Sequence, residues 1–240
     1  MAKFNDRWTV GPHGPIEKID DSIFTVAGEI VMPLGRFPRR MTLVVLAGGR
    51  TAIWSAMPLR DVEMAQIEAL GRPSFLIVPG IGHRLDIRPW KARYPEAPVL
   101  CPPGARQAVE EAVPVDATSD ILDDPDVAFV TVPGVGEREA ALLIRRDGRL
   151  TLVVNDILGN VRHPHGIGAH IMSRLFGFGP GRPRLPRTAR RLLLKDANAL
   201  AAALRDWAAT PGLARVVVSH GDVIADDPAG VLLHAADTLT

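Results

Sequence analysis

The 240-residue chain has one cysteine and one tyrosine, and aromatic residues make up only 5% of it. A single thiol, Cys101, excludes an internal disulfide and any cysteine-rich zinc cluster, and it suits a reducing compartment. Excess charge is also missing: 28 Lys and Arg stand against 27 Asp and Glu, for a net charge of +1. Nothing global therefore marks a nucleic-acid or anionic-membrane partner. No apolar stretch approaches the roughly 20 residues of a membrane span. The opening MAKFNDRWTV lacks the apolar run of a secretory signal, so the expected location is the cytoplasm. There is no Gly-x-Ser-x-Gly elbow and no P-loop, and PGIGHR and PGVGER lack the full glycine spacing of a dinucleotide fingerprint. Cys101 sits in the apolar stretch VLCPPG, so neither a serine nor a cysteine nucleophile is expected.

What is present is a core. Hydrophobic residues make up 47% of the chain and charged residues 23%, which suits a globular protein that needs no staple. The 22 glycines and 21 prolines imply many defined turns. Residues 1–20 are polar and turn-rich, which predicts an irregular arm, and 21–240 read as one domain. Strands are predicted at 22–32, 41–46 and 51–55, the last two joined by the turn Ala47-Gly48-Gly49-Arg50. A helix at 59–71, a strand at 75–78, a short helix starting near 87, a strand at 98–102 and a helix at 104–113 follow. Three strands come next, at 127–133, 139–146 and 150–156, with Asp147-Gly148 as a hairpin turn. A long helical pattern spans 187–212, then a strand spans 213–222. A last helix begins with Asp227 as N-cap and Pro228 in its first turn. This order predicts two sheets packed face to face with helices outside, rather than a doubly wound parallel sheet.

Three stretches carry a family resemblance. FLIVPGIGHRLD (75–86) is an apolar strand that breaks into glycines and then offers His83 and Asp86. LVVND (152–156) ends in Asp156, and VVVSHGD (216–222) contains His220. In element order and loop position, residues 20–238 resemble the metallo-β-lactamase fold superfamily. The stretches MTLVVLAGGRTAIWSAMPL and IVPGIGHRLDIRPWKARYPEAPVLCPPG resemble more closely a branch described as a domain of unknown function. The resemblance implies an α+β fold, a four-layer αββα sandwich of two mixed β-sheets with outer helices. It also places Asp156 at the family's metal-bridging Asp and His220 at its last His.

The departures are as informative. With Pro79 aligned to the Thr before the family's His-x-His-x-Asp-His loop, Gly80 and Gly82 fall on two His positions, Arg84 on the Asp and Leu85 on another His. Val135, in TVPGVGE, stands where a further His belongs. A conventional dinuclear zinc site cannot be carried over, and the metal site is degenerate.

A catalytic zinc takes three protein ligands and keeps a fourth position open. Asp156 and His220 supply two. His83 or Asp86 could supply the third, and so could His163 and His165 in NVRHPHGIGAH. Zinc, manganese and iron are the candidate metals. Each residue also has a bland reading: His220 as a hydrogen-bonded structural residue, Asp156 as a turn or helix cap, His83 as cover for a sheet edge, and the His163/His165 pair as solvated loop residues. The basic stretch 173–195 includes Arg182, Arg184 and Arg187, whose guanidinium forks suit phosphate or carboxylate. It reads either as a lid that selects a small anionic molecule or as a contact between subunits of a homo-oligomer. Three functions compete: a non-catalytic descendant whose cleft binds a small anion or a protein, a mononuclear metal-dependent hydrolase of an ester, lactone or phosphoester, and an assembly role through 173–195. The replaced ligands favour the first.

Overall fold

The computed structural model describes residues 4–32, 35–161 and 182–239. The first sheet has six strands in sequence order: β1 (His13–Lys18), β2 (Ile23–Met32), β3 (Gly35–Leu46), β4 (Arg50–Trp54), β5 (Arg72–Ile77) and β6 (Val99–Leu100). The pairings β1/β2, β2/β3 and β3/β4 are antiparallel, and β4/β5 and β5/β6 are parallel. The second sheet has β7 (Val127–Thr131), β8 (Ala140–Arg146), β9 (Arg149–Val154) and β10 (Leu213–Val218), in the order β10-β9-β8-β7. Here β9/β10 is parallel and the other pairs are antiparallel.

Strand periodicity explains the layers. Ala52 and Trp54, Phe75 and Ile77, Leu142 and Ile144, Val153 and Val217 all point into one apolar cluster between the sheets. The alternate residues Ile53, Leu76 and Val78 face outward, where they pack under helices α1 (Asp61–Leu70), α2 (Ile87–Arg93) and α3 (Arg106–Glu110). On the other side Leu152, Val154, Val216 and Val218 pack under α4 (Arg187–Leu193), α5 (Ala197–Ala208) and α6 (Pro228–Asp237). The expected four layers, helix–sheet–sheet–helix, are therefore present. No helix among the described residues is long and apolar enough to cross a membrane.

Two expectations change. The N-terminal arm is not irregular throughout: β1 forms the edge of the first sheet. Ahead of it, the Trp8 indole donates to the Leu59 carbonyl at 2.9 Å. The single helix expected over 187–212 is two helices. At the break, the backbone N–H groups of Lys195 and Asp196 donate to the Gly134 carbonyl at 2.8 and 3.0 Å, and Asp196 caps α5 by accepting from the Ala199 N–H. Gly134 has φ 78°, and a Cβ there would lie 2.3 Å from the Asp196 carbonyl oxygen, so this junction requires glycine.

The parallel pairs decide where chemistry can sit. The C-terminal ends of β4 and β5 in one sheet, and of β9 and β10 in the other, meet along one edge of the sandwich. The residues just past those ends are Ser55, the loop 79–86, Asp156 and His220.

Candidate metal centre

His83, Asp156 and His220 come together at that edge, each from a different strand end. His220 Nε2 is 3.0 Å from Asp156 Oδ1, His83 Nε2 is 3.5 Å from the same oxygen, and the two Nε2 atoms are 3.1 Å apart. Among the described residues, these three form a group of His and carboxylate side chains whose ligand atoms are close enough to hold one metal ion. Their side chains are 8%, 22% and 6% exposed in chain order, so the cluster is nearly dry but open on the aspartate side.

The far side of each imidazole is fixed. His220 Nδ1 lies 2.8 Å from the Pro38 carbonyl oxygen, an acceptor only, so Nδ1 carries the proton. In neutral His220 the Nε2 lone pair then faces an aspartate oxygen and a second imidazole nitrogen. That arrangement calls for a cation or a proton among the three atoms. His83 Nδ1 is 2.6 Å from the Ser55 hydroxyl oxygen. Ser55 itself has φ 55°, and its N–H donates to the Ile77 carbonyl at 3.0 Å. The ligand-to-ligand separations of 3.0 to 3.5 Å match the roughly 3.4 Å expected for tetrahedral bonds of 2.0–2.2 Å to one ion. The residues therefore fit a single divalent metal. Two His and one carboxylate are also a recognised set for zinc and for non-haem iron.

Behind Asp156 lies a second carboxyl group. Glu139, just before β8, is fully buried, and its Oε2 accepts from the Asp156 N–H and from the Asn155 side-chain amide, both at 3.0 Å. Burial, reinforced by the negative charge of Asp156, pushes the Glu139 carboxyl well above the usual carboxylate range. Burial also disfavours charge on Asp156, but His83 and His220 overcome it and hold Asp156 well below its ordinary value. The surroundings thus favour the neutral form of Glu139 and the ionised form of Asp156. Burial keeps the His83 imidazole below its ordinary value despite the pull of Asp156.

The other sequence candidates lie elsewhere. Asp86 is buried, but its Oδ2 pairs with Arg39 and its Oδ1 accepts from the Asn5 amide at 2.7 Å. It braces the loop from behind and is not in the cluster. Arg182, Arg184 and Arg187 are exposed, and α4 turns Thr188, Ala189, Leu192 and Leu193, not its arginines, toward the cleft. His163 and His165, and residues 173–181 of the basic stretch, lie outside the described residues. Val135 is fully buried in the apolar core under α5. The Cys101 thiol is buried, and burial pushes it up to about 12, which makes it a poor nucleophile at neutral pH.

Sequence reasoning missed Ser55 and Glu139. Neither carries a motif, and Glu137, two residues before Glu139, is exposed. A faint signal was the acid opening an otherwise apolar strand, EAALLI.

A cavity of about 510 Å³ opens beside the cluster and includes Ser55, His83, Asp156 and His220 in its lining.

No protein-family model and no curated protein matches the chain. Solved structures do. The DIM-1 metallo-β-lactamase aligns with a TM-score of 0.63 at 12% identity, over 97% of this chain and 100% of that one. A metallo-β-lactamase from Erythrobacter litoralis gives 0.64 at 12% identity, over 93% and 96%, and one from Hirschia baltica gives 0.59 at 14%, over 93% and 98%. With nearly full coverage in both directions, and with the layers and strand order described above, the chain has the metallo-β-lactamase fold.

Proposed function

We propose that the protein binds one divalent metal through His83, Asp156 and His220 and hydrolyses an ester or lactone in the adjoining cavity. The observation that carries this reading is the convergence of three ligand atoms from three strand ends, with the outer nitrogens of both histidines already held by Pro38 and Ser55. A divalent cation bound there supplies Lewis acidity and lowers the pKa of water toward neutrality.

The chain's own residues do the rest. Asp156 supplies the negative charge that holds the cation. Glu139, whose burial favours its neutral form, keeps the Asp156 backbone in place by accepting from the Asp156 N–H. The Pro38 carbonyl and the Ser55 hydroxyl fix the two rings, so no ligand has to be reorganised on binding.

The test is metal content by mass spectrometry after purification without chelator, followed by titration with zinc, manganese and iron. One tightly bound metal per chain is expected, with loss of retention in Asp156→Ala and His220→Ala, and esters and lactones are then assayed with the loaded protein. No binding in the wild type, or unchanged metal content in both variants, overturns the proposal. Either result favours the alternative, a non-catalytic descendant of the fold. The specific feature that speaks for that alternative is the filling of one family ligand position: Gly80 stands where a His belongs, and the Glu139 carboxyl occupies the space above it.

A further inference from the structure

Resting on the metal reading above, we infer that the cavity beside His83, Asp156 and His220 is a subsite for an aliphatic chain, so that the substrate is an ester or lactone of a hydrophobic straight-chain acid. The cavity volume, about 510 Å³, lies within the ordinary range for small-molecule sites. His83, Asp156 and His220 cluster in its wall with Ser55 beside His83, and Arg39 and Thr188 are its other polar side chains. Much of the remaining lining is aliphatic: Ile30 from β2, Ile81 and Leu85 from the loop after β5, and Leu192 and Leu193 from α4.

The phase of α4 sets this character. Positions 188, 189, 192 and 193 recur on one helix face, and that face borders the cavity. Arg187, Arg190 and Arg191 are exposed. Leu192 is 61% exposed although it borders the cavity, so its side chain stands against water until a ligand covers it. Arg39, the cation in the wall, is already paired with Asp86. A polyhydroxylated or multiply charged substrate would leave polar groups unpaired against the leucines. Phe37, the aromatic residue in the lining, is packed on the His220 ring with centroids 4.7 Å apart, so it is committed to orienting a ligand rather than to stacking on a substrate. An aliphatic chain meets all of these surfaces without loss.

The reaction is a plain hydrolysis. The oxygen of water bonds to the acyl carbon, the acyl–alkoxy bond breaks, and a water proton ends on the departing oxygen. An ester gives an acid and an alcohol, a lactone gives a hydroxy acid, and nothing is oxidised or reduced.

The experiment is calorimetric titration of metal-free and zinc-loaded protein with straight-chain carboxylates from butanoate to decanoate. Burial of each added methylene should tighten Kd by roughly threefold to fourfold. Leu192→Glu should flatten that dependence to less than twofold per methylene with the thermal melt unchanged, because Leu192 is largely exposed. Arg187→Ala, on the outward face, should leave the dependence intact. A flat series in the wild type, or an unchanged slope in Leu192→Glu, overturns the subsite. The two readings fail separately: metal retention with a flat series leaves the metal site standing and removes the chain subsite, and a steep series with no metal at any concentration does the reverse.

Discussion

Glu139 Oε1 fills the space that a side chain at Gly80 would need: a Cβ at position 80 would sit 2.1 Å from that oxygen and 2.9 Å from the Asn155 amide nitrogen. Because Glu139 is fully buried, its carboxyl cannot swing away into solvent. Gly80→Ala should therefore lower stability by about 1–3 kcal/mol through overpacking. Urea denaturation checks this. The double variant Gly80→Ala/Glu139→Ala should be less destabilised than the sum of the two single changes, since the clash is gone.

Glu139 also makes a pH prediction. Its carboxyl is raised in the folded protein above the ordinary value of 4.5. A group with a raised folded pKa stabilises fully below its unfolded pKa, and that contribution is lost as pH rises toward the folded pKa. Glu139→Gln removes this dependence. In chelated protein the wild type and the Gln variant should be closest in stability near pH 4. Above that, the wild type should lose ground by up to about 1.4 kcal/mol per pH unit. Parallel pH–stability curves would show that Glu139 is charged in the fold.

Asp86 separates bracing from ligation. It is 1% exposed and shares its two oxygens between Arg39 and Asn5. Asp86→Ala leaves a nearly buried guanidinium without its partner and should cost about 3 kcal/mol or more of stability. Metal affinity measured on the folded fraction should stay within a few-fold. His83→Ala should show the opposite pattern, with metal retention lost and the melt little changed. A variant at Asp86 that melts normally but loses metal would move Asp86 into the site.

Ser55→Ala tests how the His83 ring is held. The hydroxyl contact at 2.6 Å orients Nδ1, so its removal should weaken metal binding by roughly 10–100-fold. A competing chelator measures the change. Secondary structure by circular dichroism should remain that of the wild type.

Much of the fold was legible in the chain itself. Alternation in VVV at 216–218 already divides Val217 from its two neighbours, and the structure puts Val217 between the sheets and Val216 and Val218 under the helices. Asp147-Gly148 requires a tight hairpin, and both residues have positive φ, 49° and 72°. Asp227 accepts from the Gly230 N–H and starts α6 with Pro228 behind it, as cap chemistry dictates. These features are local: a backbone period, a turn conformation or a cap involves residues a few positions apart, and residue type alone carries the preference.

The candidate site was legible only in part, for the opposite reason. His83, Asp156 and His220 could be named from the strand ends they follow. Their meeting depends on two parallel strand pairs ending at the same edge, with the two histidines 137 positions apart in the chain. Nothing in RLD separates Asp86, which turns back to Arg39, from a ligand, and nothing in EREA marks Glu139 as buried and Glu137 as exposed. Arg182, Arg184 and Arg187 read either as an anion-selecting lid or as a subunit contact, and residue type alone could not show that α4 sets Leu192 and Leu193 on the cavity and leaves Arg187 exposed. Composition and periodicity determined the layers, because they report which face of each element leaves water. The partner of each polar side chain was decided by the tertiary structure, because that partner comes from a distant element whose position no local pattern encodes.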